Sequence, residues 1–243
     1  MFIKNKRPRC DERPFRNEWK YYITEAEMYA IRARLLEIME RDSHAGDGKY
    51  MIRSLYFDDY WDNSYHDKLD GVNYRNKYRI RVYNCSDKTI KLERKTKIAN
   101  YIHKDSATLQ REEYDRILAG DYSFLLASDK PLCREFYYEC MVHLMRPRVI
   151  VDYEREPLIF PYGDVRITFD SHVRAALLCE DIFDPKLPAL EVLDPGVLIM
   201  EVKFTEFLPQ MIKEVIPPSA HHFMAISKYT LCYEKTAYMA KQI

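Results

Sequence analysis

The stretch NKYRIRVY (76–83), the polar link NCSD (84–87) and TIKLERKTK (89–97) decide how this chain is read. In an extended strand, successive side chains point to opposite faces. Lys77, Arg79 and Arg81 therefore share one face, and Tyr78, Ile80 and Val82 share the other. In the second segment Lys91, Glu93, Lys95 and Lys97 lie together, opposite Ile90, Leu92 and Arg94. The turn-like residues between them predict a hairpin. It displays a dense cationic face with one carboxylate in it. Like charges side by side cost free energy unless an anion sits among them.

A half-buried strand often turns Arg and Lys to solvent, so one hairpin is weak evidence. The pattern recurs. Tyr153 and Arg155 follow Val151 in another strand-like run. Arg166, Thr168 and Asp170 alternate with Val165, Ile167 and Phe169, and Glu201 and Lys203 alternate with Met200, Val202 and Phe204.

The 243 residues suffice for one large all-β or α+β domain, or at most two small ones. Lys plus Arg and Asp plus Glu are each 38, so the net charge is zero. A general nucleic-acid binder is usually basic overall, and no nucleic-acid partner is expected. Positive charge gathered in one place and offset elsewhere suits a local anion site. Twenty Tyr fit many half-exposed strand positions, and six Gly leave little room for a Walker-type phosphate loop.

The six cysteines form no C-x-x-C pair, which predicts reduced thiols in a cytoplasmic protein. Cys133 and Cys140 are read as small core residues on one helix face. His221 and His222 are adjacent and show no zinc-ligand spacing. No apolar run is long enough to cross a bilayer, and the N-terminus lacks a signal-peptide core. A soluble protein with no membrane segment of its own is expected; docking to a membrane-protein partner remains compatible.

Residues 1–14 read as a polar tail and 15–243 as a single domain. Strands are expected over 15–23, 50–57, 76–97, 148–159, 165–173 and 198–204. A capping box, Thr24 to Glu27, opens a helix running to about Arg41. Further helices are expected over 108–118, 131–145, 207–215 (ended by Pro217-Pro218) and 223–240, with 58–73 a polar stretch. The expected class is α+β: a closed antiparallel eight-stranded β-barrel with helices outside and at the C-terminus. Closure removes edges and focuses the cationic faces into one tunnel. Such an interior makes sense only with water and a polyanion inside it.

The runs SLYFD (54–58), YRIRVY (78–83) and LERKTK (92–97) resemble the triphosphate tunnel metalloenzyme superfamily, also called CYTH-like. More narrowly they resemble the catalytic domain of the vacuolar transporter chaperone (VTC) complex, the eukaryotic polyphosphate polymerase, and its bacterial relatives. VDYER (151–155), RITFD (166–170), MEVK (200–203) and SKY (227–229) follow in the same order. The resemblance implies phosphate ligands at Lys20, Arg79, Arg81, Lys95, Arg155, Arg166 and Lys228, with Lys104 a weaker candidate. Tyr153 and Ser227 would add hydroxyl contacts, and Glu201 would hold Mn2+ or Mg2+. Arg79, Arg81, Lys95 and Glu201 would carry the chemistry. Eukaryotic members have a further Lys where this chain has Ala225, which implies a tunnel that either holds phosphate less tightly or gains help from His221 or His222.

Residue chemistry agrees with these roles. Arg grips phosphate oxygens bidentately and stays charged. A divalent hard cation takes one or two carboxylates plus phosphate oxygens. Without the resemblance, Glu18 and Glu93 read as structural ion-pair partners. Three functions fit: a polymerase moving phosphoryl groups from a nucleoside triphosphate onto polyphosphate, a triphosphatase, and a non-catalytic polyphosphate or inositol-phosphate binding module.

Overall fold

A computed structural model describes residues 17–240 except 47, 100, 163, 177–180 and 217–224. The polar tail, Cys10, Cys179, His221, His222 and Pro217-Pro218 lie outside the described residues. Along the chain come β1 (Asn17–Thr24), α1 (Glu25–Leu35), β2 (Glu40–Arg41), β3 (Tyr50–Asp58), α2 (Asn63–Leu69), β4 (Tyr74–Tyr83), β5 (Ser86–Ile98) and β6 (Tyr101–Leu109). Then follow α3 (Arg111–Leu118), α4 (Ser123–Leu126), α5 (Pro131–Val142), β7 (Arg146–Phe160), β8 (Val165–Ala176), β9 (Leu190–Glu191), β10 (Val197–Phe204), α6 (Gln210–Lys213) and α7 (Lys228–Ala240).

The hairpin forms as the alternation dictates. Lys77 pairs with Lys95, Arg79 with Glu93 and Ile80 with Leu92 across β4 and β5. Asn84 and Cys85 turn the chain at φ of 50° and 53°, the left-handed geometry a two-residue hairpin turn requires. Asn at the first of these positions suits that geometry. Its Oδ1 also accepts from the Met51 amide at 2.8 Å, which ties the turn to β3.

One antiparallel sheet is ordered β1-β10-β8-β7-β3-β4-β5-β6, with β2 added to β7 and β9 to β8. The antiparallel α+β class is as expected, but closure of the barrel by hydrogen bonds is not seen among the described residues. β1 and β6 end the order, and no backbone ladder joins them among the described residues. Side chains bridge the seam instead: Lys95 of β5 meets both carboxylate oxygens of Glu18 of β1, at 2.8 and 3.0 Å. Drawing the two edges into a ladder would squeeze water from a strongly charged interior, and stripping water from charges is costly.

The outward faces are apolar and carry the helices. Tyr78, Ile80, Val82, Ile90 and Leu92 pack with Phe136 and Cys140 of α5 and Tyr114 and Ile117 of α3. Cys133 joins the same core, so both helix cysteines share the predicted face. On the other side Tyr21, Ile23, Met200 and Val202 pack against Met28, Ile31 and Leu35 of α1. The third cluster lies inside the fold. Val149, Val151 and Tyr153 pack against Ile226, Tyr229 and Cys232, so α7 covers the inner side of β7 and β8.

Several element boundaries move from their expected places. The Thr24–Glu27 capping box is present, but α1 stops at Leu35 because Glu40 and Arg41 pair with Ile159 and Leu158 of β7. The stretch read as polar between β3 and the hairpin contains α2. The run before α3 is β6, paired with β5 along its whole length. The helix expected over 207–215 shortens to α6. Among the described residues no helix is long and apolar enough to cross a membrane.

Candidate functional site

The charged inner faces meet in a cavity of about 200 Å³. Its lining draws on β1, β3, β4, β5, β6, β7, β10, α2, the segment before α7 and the start of α7. Lys20, Arg79, Arg81, Lys95, Arg155 and Lys228 all line it, as do Tyr153, Ser227 and Glu201. Two expected ligands do not. Lys104 faces the same side as Lys95 but binds Glu93 at 2.8 Å near the outer margin. Arg166 is held by Asp42 at 2.7 Å and by the Tyr50 hydroxyl at 3.1 Å.

The cations are not bare. Glu93 is fully buried beneath the hairpin and receives Arg79 Nη2 at 2.6 Å, with Arg81 at 3.8 Å. Burial opposes its ionisation, but Arg79, Arg81 and Lys104 outweigh burial and hold it far below the usual carboxylate range. Arg155 forks onto Asp170, with two bonds of 2.7 Å. Lys228 reaches the same carboxylate at 2.6 Å and lies 4.8 Å from the Tyr153 ring centre. Arg81 donates to the Tyr153 hydroxyl at 3.3 Å. Despite burial, Arg155, Arg81 and Lys228 lower the Tyr153 pKa.

These carboxylates fix arginine rotamers before any ligand arrives. A preset fork loses less side-chain freedom on binding an anion. Among the described residues Arg81 has two long bonds to neutral hydroxyls besides the distant Glu93, which leaves donor capacity for a ligand. We expect Arg81→Ala to weaken tripolyphosphate binding by about tenfold, the order set by losing one charge-assisted hydrogen bond. Titration calorimetry checks this, and wild-type affinity would place Arg81 outside the ligand's reach.

Glu18 and Glu201 are the two carboxylates that line the cavity. Lys20 joins them, at 2.8 Å from Glu18 and 3.8 Å from Glu201. Lys203 meets Glu201 at 2.5 Å. Burial raises the pKa of both acids, and the charge of Glu201 also raises that of Glu18. The surrounding cations prevail, and both stay ionised well below the usual range. Lys95, half-buried beside Glu18, is lowered to about 8 by loss of solvent, against the pull of Glu18.

The sequence reading treated Glu18 as a structural partner. It is ion-paired, and it also lines the cavity. The signal was present: Glu18 lies two residues before Lys20 and so shares its face. Arg75 and Lys97 extend the same alternation outward from Lys77 and Lys95. Lys68 projects from a helix that the sequence did not reveal. Ala225 lines the cavity, so the position where the resemblance suggests lysine is apolar here.

Hard oxygen donors suit Mg2+ or Mn2+, which usually bind through one or two carboxylates with phosphate and water completing the shell. Glu201 and Glu18 fit that role. Among the described residues no group of three or more His, Cys, Asp or Glu could hold an ion by itself. Phosphate oxygens would therefore have to supply part of the coordination.

Fold and site together define an α+β protein whose antiparallel sheet wraps a strongly cationic cavity. The VTC domain model matches residues 15–237, and the chain belongs to that family. No curated protein matches its sequence. Among solved structures, a putative adenylyl cyclase from Hippeastrum, described as showing a dominant triphosphatase activity, is 11% identical with a TM-score of 0.51. That likeness covers 92% of this chain and 96% of the other. The PH1819 protein from Pyrococcus horikoshii OT3 is 14% identical over 90% of this chain and 99% of its own, with a TM-score of 0.49. A putative adenylate cyclase from Bacillus halodurans is 12% identical over 83% and 86%, with a TM-score of 0.44.

Proposed function

We propose that this chain is a metal-dependent polyphosphate polymerase that extends a phosphate chain with the terminal phosphoryl group of a nucleoside triphosphate. The observation that carries this reading is the convergence, in one cavity, of cations from five strands, α2 and α7 with Glu18 and Glu201. Membership in the VTC domain family supports it. A terminal oxygen of the acceptor chain attacks the γ-phosphorus. The bond from that phosphorus to its bridging oxygen breaks, and the nucleoside diphosphate leaves with the bond's electron pair. The acceptor is one phosphate longer.

Phosphoryl transfer asks mainly for alignment and for neutralisation of charge on the moving group. Arg79 and Arg81, preset on one strand, align and neutralise the transferring phosphoryl oxygens. Lys95 and Lys20 cover neighbouring oxygens. Arg155 and Lys228 hold the adjoining phosphate from the opposite wall. A divalent ion held by Glu201 and Glu18 would add compact positive charge between phosphate oxygens. The nucleoside base would be left outside and weakly read.

The second reading is a triphosphatase, in which water replaces the acceptor. The tunnel-type fold shared with the Hippeastrum protein favours keeping it. The test is to incubate the purified chain with ATP and Mn2+ or Mg2+ and resolve the products on a gel. A polyphosphate ladder is expected. Free phosphate with no ladder would replace the proposal with hydrolysis. No product, with binding retained, would leave a binding module.

A further inference from the structure

A patch on the outer surface, away from the cavity, is apolar and uncovered among the described residues. Tyr138, Met141 and Val142 fall at i, i+3 and i+4 along α5 and so share one stripe. That stripe lies opposite the helix face that Phe136 and Cys140 bury in the core. The three are 57%, 52% and 67% exposed. Leu144, just past the helix, is 47% exposed. The link between β3 and α2 lies alongside, because the Tyr60 amide donates to the His143 carbonyl at 3.3 Å. Tyr60 and Trp61, edge to face at 4.9 Å, are 68% and 73% exposed.

Two observations mark this face as a contact surface. Leu144 has a φ of 55°, the left-handed conformation that Gly or Asn usually supplies at a helix end. That conformation is unfavourable for a bulky residue, and burial within the chain offsets little of the cost while the side chain stands half in solvent. The second observation is size. At about 150–250 Å² for a whole aromatic side chain, and less for the aliphatic ones, these exposed fractions leave on the order of 600–700 Å² of side chain in view. The largest apolar patch on a typical monomer is about 300–600 Å². One partner in a standard interface gives up about 800 Å².

The rim carries both signs of charge. Arg148 pairs with Asp62 at 2.9 Å, and Glu139 meets His143 at 2.7 Å. Asp59 accepts from the amides of Trp61 and Asn63, and Arg146 donates to the Cys140 and Met145 carbonyls at the end of α5. A face that docks on anionic lipid carries an excess of Lys and Arg, whereas here carboxylates match the arginines. A two-fold contact needs a surface complementary to itself. An apolar helix stripe rimmed by both signs meets that need, since each copy's arginines can face the other's carboxylates. We infer that this face, formed by α5, Leu144 and the Tyr60–Trp61 corner, joins two copies of the chain in a symmetric dimer with α5 against α5. The cavity lies on the inner side of the sheet, so each copy keeps a complete site, and the inference does not depend on what that site binds.

Analytical ultracentrifugation of the full chain over a concentration series tests this. At about 10 μM and above the wild type should sediment at twice the chain mass, since interfaces of this size bind in the micromolar range or tighter. Trp61→Glu and Val142→Glu, one on the loop and one on the helix, each bring a carboxylate into the contact from both copies. Each should weaken association by about a hundredfold or more. Phe207→Glu, at a residue 66% exposed on the α1 side of the sheet, should leave the dimer intact. Melting curves show that the variants fold, as expected for substitutions at exposed positions. A wild type that stays monomeric throughout the series overturns the inference. In that case pelleting with anionic lipid vesicles, lost in Trp61→Glu, would assign the face to a membrane instead. A dimer that survives both substitutions overturns it as well, because association then uses another face. Failure to bind tripolyphosphate would remove the proposed function and leave this result untouched.

Discussion

Glu201→Gln is expected to lower ATP turnover by about a hundredfold or more, in line with removing a preorganised charge from a phosphoryl-transfer site. The substitution keeps the side chain's shape and its place on β10 opposite Thr168. It removes the charge that, with Glu18, would hold a divalent ion. It also frees Lys203, now 2.5 Å away, and relaxes Lys20. The cavity becomes more positive, so tripolyphosphate should bind as tightly as in the wild type or more tightly. Turnover across a Mn2+ titration, read beside calorimetric binding, separates the two effects. Wild-type turnover at saturating Mn2+ would transfer the metal role to Glu18. Weaker phosphate binding would show that Glu201 organises the cations rather than an ion.

The largest stability effect belongs to Asp170. It is fully buried and compensates both Arg155 and Lys228. Removing one partner of a buried ionic network costs about 3–5 kcal/mol, because the remaining charges are left buried and unpaired. Asp170→Asn should therefore lower the melting temperature by roughly 6–20 °C, at about 2–4 °C per kcal/mol for a domain of this size. Tripolyphosphate should restore more stability to this variant than to the wild type, since it replaces the lost negative charge. A melting temperature within about 2 °C of wild type would show that water already compensates these cations.

The sign of the acid response follows from the same network. Burial raises the Asp170 pKa, but Arg155 and Lys228 outweigh burial and depress it in the folded state. A group depressed on folding contributes stability that is complete above its unfolded value, near 4, and disappears as pH falls through the folded value. Glu18, Glu93 and Glu201 are depressed likewise. Acid unfolding below about pH 4 should thus be steep in the wild type and shallower in Asp170→Asn.

The picture of an interior of bare like charges needs revising. Arg79, Arg155 and Lys20 each carry a buried or half-buried carboxylate partner. Like charges crowd Lys68, Lys77 and Lys97, none of which is ion-paired to a carboxylate among the described residues. The motifs quoted from the sequence lie mainly in the compensated part. The uncompensated end draws one residue from a helix that has no counterpart in those motifs.

What the sequence determined by itself is the alternation. Apolar and charged residues spaced by two decided that the hairpin and β10 are strands, and which of their faces is charged. The strands of β3, β7 and β8 were legible for the same reason, because each has one face packed on an apolar core. β6 was missed because YIHKDSATL has little apolar periodicity to show. The depth of each charge was also invisible, since burial depends on which strands become neighbours. Glu93 reads as an ion-pair partner in sequence and Asp170 as one residue of a charged strand face, and nothing in the sequence shows that both are fully buried. Val151 shows the converse. It lies on the charged face with Tyr153 and Arg155, and only the packing of α7 against that face makes it core. Only the tertiary structure brought Glu18 from one end of the sheet to Lys95 near the other. Local propensity carries no information about where two sheet edges meet. That meeting is set by the twist and curl of the whole sheet, and here it is sealed by an ion pair rather than a ladder.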